Sequence, residues 1–80
     1  MGMFDTYRKS KELEVQLKAG PCCLYLYQVG DPVDIPEGVY HGNGDGIVII
    51  RNGLLEDVLE ADADTSVYSL PVFDKYGDSR

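Results

Sequence analysis

The sequence has no tryptophan, a single histidine, two cysteines and half as many basic as acidic residues (Lys+Arg 7, Asp+Glu 14). Each shortage narrows the field. Cys22 and Cys23 are adjacent, and neighbouring cysteines do not readily reach disulfide geometry, so both are expected reduced rather than part of a secreted disulfide framework. The longest apolar-rich stretch, Cys22–Tyr27, falls far short of the roughly 20 residues a membrane-spanning helix needs. Met1–Lys9 lacks the basic region and apolar run of a signal peptide. The expectation is a cytoplasmic protein without a membrane partner.

The scarcity of recognisable reactive groups points the same way. His41 has no companion at a spacing that suggests a catalytic set with Cys22 or Cys23, and both cysteines lie in an apolar stretch. Zinc on Cys22, Cys23 and His41 is disfavoured because adjacent strand residues point to opposite faces. Asp31, Asp34, Glu37 and Asp45 do not follow the spacing of a calcium-binding EF-hand loop, and Pro32 and Pro36 interrupt it. Gly42-Asn43-Gly44-Asp45-Gly46 lacks the Lys-Ser/Thr ending of a phosphate-binding loop, and Asp45 opposes an anion. The expectation is a non-enzyme with no cofactor and no metal.

What is present is acid, tyrosine and strand pattern. The net charge of −7 is concentrated in residues 31–64, where nine acids face Arg51 alone. Such a field repels nucleic acid and favours a protein partner with a basic face; keeping a small domain soluble is its blander use. Six tyrosines supply apolar area with a polar tip, a combination useful at interfaces as well as in a small core.

Eighty residues suit one domain with a modest core. Residues 1–10 read as a candidate arm and 74–80 as a polar tail. Leu13, Val15 and Leu17 alternate with charged or amide residues, the pattern of a half-buried strand. Cys22–Val29 is apolar or aromatic on both faces, reading as a central strand or as one that bears a contact surface. Val39–His41 is a short strand candidate. Ile47–Arg51, Asn52-Gly53 and Leu54–Leu59 spell a hairpin with a two-residue turn, setting Arg51 opposite Leu54, Ile50 opposite Leu55 and Ile49 opposite Glu56. Val67–Phe73 supplies a last strand, placed at an edge by Pro71. The pattern predicts a mainly β fold, a small antiparallel five- to six-stranded SH3-like barrel or a compact sandwich.

Met1-Gly2-Met3-Phe4-Asp5, Gln28-Val29-Gly30-Asp31 and the Ile47–Leu55 hairpin together resemble small uncharacterised proteins of bacteriophages and prophages. Some proteins with this opening look like carriers of a Cys-x-x-Cys metal knuckle, a pair this chain lacks. The resemblance implies a viral or prophage origin and production inside a host cell. The expected function is that of an accessory protein binding a host or viral protein through Tyr25, Tyr27, Tyr40, Asp57, Glu60, Asp62 and Tyr68. The alternative is a virion or assembly component that forms homo-oligomeric contacts.

Overall fold

A computed structural model describes residues 4–19, 24–42 and 46–77. Seven strands occur among them: β1 (Asp5–Ser10), β2 (Leu13–Leu17), β3 (Leu26–Gln28), β4 (Gly38–His41), β5 (Ile47–Arg51), β6 (Leu54–Leu59) and β7 (Val72–Phe73). A 3-10 turn, Ser66–Tyr68, lies between the last two. The strands form two sheets, ordered β2-β1-β3 and β6-β5-β4-β7. The mainly β expectation therefore holds, as a compact two-sheet domain. The all-antiparallel expectation does not, because β3 runs parallel to β1 and β7 parallel to β4. Both parallel partners arrive at a sheet edge by a long connection, which composition does not reveal.

No ladder among the described residues closes the sheets into a barrel. They are stitched at two corners instead. Gly30 donates to the Leu55 carbonyl at 2.8 Å, Leu55 donates to Asp31 at 2.9 Å and Val33 donates to Gly53 at 2.9 Å. At the other corner Lys18 donates to the Lys75 carbonyl at 2.7 Å. Thus Lys75, read from the sequence as part of a polar tail, is bonded to the end of β2. Residues 5–10, read as part of an arm, form the middle strand of the first sheet. Their inward positions are Asp5 and Tyr7, so β1 carries almost no apolar alternation to announce it.

The core explains the rest of the pattern. Tyr7, Val15 and Leu17 of the first sheet pack against Ile35, Tyr40, Val48, Ile50, Leu55 and Val58. On the far side of the second sheet, Val39, Ile47 and Ile49 are covered by Leu59, Ala63, Tyr68, Leu70 and Val72. Strand β5 is thus buried on both faces, which is why Ile47-Val48-Ile49-Ile50 has no polar alternation. The Asn52-Gly53 turn forms with φ of 56° and 74°, the paired positive values of a type I′ hairpin.

The hairpin register departs from expectation beyond Ile50. Ile49 faces Asp57, not Glu56, and the ladder shifts between Ile49 and Ile50. Strict alternation from Leu55 would aim Asp57 into the core. The extra residue instead turns Val58 inward, fully buried, and leaves Asp57 at the surface side. The bulge thereby spares the core a second carboxylate beside the hydrogen-bonded Asp5.

Gly38 positions the last strand. A Cβ there would lie 2.4 Å from the Phe73 ring and 2.9 Å from the Pro71 carbonyl oxygen. Without one, Phe73 stacks on Tyr40 at 4.8 Å between ring centres, and Val39 donates to the Pro71 carbonyl at 2.7 Å.

Candidate functional site

Strand β3 is where fold and surface meet. It is an edge strand of three residues, which excludes the central-strand alternative offered for Cys22–Val29 and leaves that of a strand bearing a contact surface. Cys22 and Cys23 lie outside the described residues. Tyr27, half-buried, stacks on Tyr7 at 5.1 Å and closes the rim of the core. Its neighbours point outward: Leu24, Tyr25, Leu26 and Val29 are 69%, 54%, 46% and 44% exposed. Leu54, bridged to Pro32 in the loop that follows β3, is exposed as well. The remaining exposed large apolar residues are separate, Val67 in the 3-10 turn and Tyr76, over which Lys18 and Lys75 place their ammonium groups.

The start of β3 is held by a buried acid. Asp5 is fully buried, and one of its carboxylate oxygens accepts the Tyr25 N–H at 3.1 Å. Leu24 precedes it at φ 63°, a left-handed conformation uncommon for a branched aliphatic residue. At the other end, Asp31 folds back on Gln28. Its carboxylate accepts the Gln28 N–H at 2.8 Å, and its own N–H donates to the Gln28 carbonyl at 2.9 Å.

The seven residues proposed from sequence fall in different places. Tyr25 and Tyr27 are brought together, edge to face at 6.1 Å. Tyr40 is fully buried and so belongs to the core, a correction to its reading as a contact residue. Its hydroxyl donates to the Pro36 carbonyl at 2.7 Å, and burial pushes its pKa up to about 12. Its alternation partner on β4, Val39, faces the outer layer, so no face of that strand is left for solvent. Tyr68 is half-buried in the outer layer, across the second sheet from Tyr27. Its carbonyl accepts from Arg51 Nη2 at 3.1 Å, and the guanidinium lies 5.9 Å from its ring.

Among the acids, Asp57 is half-buried, ion-paired with Lys9 at 3.1 Å, and accepts the Val58 N–H at 2.8 Å. It is committed to holding the bulge and the sheet contact. Glu60 and Asp62 are exposed in the turn that follows β6.

A second acidic group, weighed from sequence only as a calcium loop and as part of the acidic field, follows β3. Asp31, Asp34 and Glu37 lie on the loop that runs along the Asn52-Gly53 turn. Glu37 accepts the Asn52 N–H at 2.9 Å, and Val33 donates to Gly53. Among the described residues no Lys or Arg forms an ion pair with any of the three; Arg8, Lys9 and Arg51 pair with Glu14, Asp57 and Glu56. Turn chemistry marks this loop in the sequence, but its placement along the hairpin rests on the long-range bonds of Glu37 to Asn52 and of Val33 to Gly53.

Among the described residues no pocket opens, no three His, Cys, Asp or Glu side chains are arranged to hold a metal, and no helix is long and apolar enough to cross a membrane. The candidate site is the exposed apolar group on and beside β3, followed by the acidic loop of Asp31, Asp34 and Glu37. Compared with known proteins, the chain matches no family model, no curated protein and no solved structure.

Proposed function

We propose that this chain is a non-enzymatic accessory protein of phage or prophage origin, acting in the host cell by binding a host or viral protein. The observation that carries the binding role is the group of exposed apolar side chains on and immediately flanking one edge strand, Leu24, Tyr25, Leu26 and Val29, in a chain of net charge −7. Large exposed apolar side chains grouped on a small domain mark contact surfaces, whereas singly scattered ones need no explanation. The origin rests on the sequence resemblance alone. Tyr25 and the exposed rim of Tyr27 are the contact tyrosines of this reading, with Glu60 and Asp62 contributing to the acidic field. The finer fold reading is an SH3-like barrel left partly open or a compact sandwich, its sheets packed on a shared core and joined by the corner bonds and the Lys9–Asp57 ion pair.

The edge position of β3 also favours a second reading, in which copies of the chain meet there as an assembly or virion component. Complex size separates the two. The protein is isolated from producing cells at low and high salt, and the mass of the recovered species is measured. A salt-sensitive complex with one different protein supports the accessory role. A closed ring or particle of this chain alone supports assembly, and a bare monomer at every salt concentration contradicts both.

A further inference from the structure

We infer that the exposed apolar group on and beside β3 takes a short basic and apolar segment of a partner protein, gripped by side chains and not added as a sheet strand. This rests on the protein-binding reading above and specifies its ligand. An edge strand ordinarily invites strand addition through its outward backbone groups. Thr6 donates to the Tyr25 carbonyl, so alternation turns the backbone groups of Leu26 and Gln28 away from β1. Gln28 has both of its groups consumed by Asp31. Leu24, in the left-handed region, breaks the extended geometry at the other end. Only Leu26 remains to pair along the open edge, too little for a ladder.

The side chains, by contrast, are presented. Leu24, Tyr25, Leu26 and Val29 stand exposed on and beside β3, Leu26 on the outer sheet face and Tyr25 on the face of Tyr27, and the loop that follows carries Asp31, Asp34 and Glu37, which have no cation of their own among the described residues. Residues 24–30 carry no formal charge. A partner segment with apolar residues on the apolar group and lysine or arginine at the acidic loop matches both parts. A second copy of this chain matches poorly, since it brings its own acids to that loop. Anionic lipid is repelled for the same reason.

The acidic loop is testable without disturbing its hydrogen bonds. The triple substitution Asp31→Asn, Asp34→Asn, Glu37→Gln keeps the acceptor oxygens for Gln28 and Asn52 while removing three charges. The triple Glu12→Gln, Asp64→Asn, Asp74→Asn removes three charges away from both acidic groups and serves as the charge-matched control. The probe is a synthetic lysine-leucine amphipathic helical peptide, with a lysine-serine peptide of equal charge beside it. Binding is followed by amide chemical shifts and by titration.

The lysine-leucine peptide is expected to shift the amides of residues 24–31 and 53–55. The first triple is expected to weaken it about tenfold and the control less than threefold. Leu24→Asn with Leu26→Ser is expected to remove the binding, and the lysine-serine peptide to bind far more weakly. Equal weakening by the two triples, equal binding of the two peptides, absence of binding, or new exchange protection of the Leu26 amide by bound peptide each overturns the inference. Shifts confined to residues 57–64 overturn it too, yet leave the protein-binding reading standing. That reading fails separately, through recovery of a bare monomer from cells.

Discussion

Strands β3 and β5 are drawn from apolar runs of similar character and end in opposite environments. Ile47–Ile50 is buried on both faces, between the first sheet and the outer layer formed by residues 59–72. Leu24–Val29 lies at the edge of a three-stranded sheet, with only Tyr27 packed against the core. An apolar run shows that water is to be excluded from it, and topology decides whether the chain itself or something else does so. In β5 the apolar area stabilises the fold. In β3 most of it is left available for contact.

The comparison is broken most directly by truncating β5. Ile50→Ala is expected to cost about 2–5 kcal/mol of unfolding free energy, because the void left in the inner core collapses only partly. Denaturant unfolding measures it, and a cost below about 1 kcal/mol would mean that β5 is not the packed centre.

Next in size is an alkaline effect at Tyr40. Its folded pKa of about 12 stands above the ordinary 10.0, so the folded state holds the proton where the unfolded chain releases it. The stability associated with the neutral phenol is complete below pH 10 and is lost as pH rises towards 12. Two pKa units correspond to about 3 kcal/mol. Tyr40→Phe is expected to lack this fall relative to the parent chain, at a cost near neutral pH of about 1 kcal/mol for the bond to Pro36. Unfolding curves collected between pH 8 and 12 compare the two.

Gly38→Ala sharpens the boundary between core and edge. The new methyl meets the Phe73 ring and the Pro71 carbonyl, so a loss of about 1–3 kcal/mol and loosening of β7 are expected. Amide exchange at Val39, whose N–H bonds to Pro71, reports the loosening. The smallest effect belongs to β3: Leu26→Ser is expected to change stability by less than about 0.5 kcal/mol, as for exposed positions generally, and thermal unfolding suffices to check it.

Local rules made a good part of the fold legible. Asn52-Gly53 demanded positive φ at two successive residues and formed the turn expected of it. The alternation of Leu13, Val15 and Leu17 placed β2, and the edge position expected for Val67–Phe73 holds for β7, although only Val72–Phe73 is strand and Ser66–Tyr68 forms a 3-10 turn. The misses arose where tertiary competition decides. Nothing local shows that β6 inserts an extra residue, since that follows from Val58 displacing Asp57 from the core. The polar run Asp5–Ser10 becomes a central strand because β2 and β3 both pair with it. At the candidate site, the tyrosines of Cys22–Val29 were recognised as a contact possibility. Asp31, Asp34 and Glu37 were legible as part of the acidic field, but their place along the hairpin turn was not, because it depends on long-range bonds to Asn52 and Gly53. Tyr40 was misjudged because a tyrosine beside a loop looks alike whether its hydroxyl meets water or a backbone carbonyl.

The central claim is that β3 offers its apolar side chains to a partner and does not need them to fold. The most direct measurement is the unfolding free energy of the Leu24→Asn, Leu26→Ser double variant beside that of Ile50→Ala. Asn tolerates the left-handed backbone at position 24, so strain adds nothing to the loss. The account predicts a double variant within about 0.5 kcal/mol of the parent chain, while Ile50→Ala loses several times more. A double variant as destabilised as Ile50→Ala would contradict it and return these side chains to the folding core.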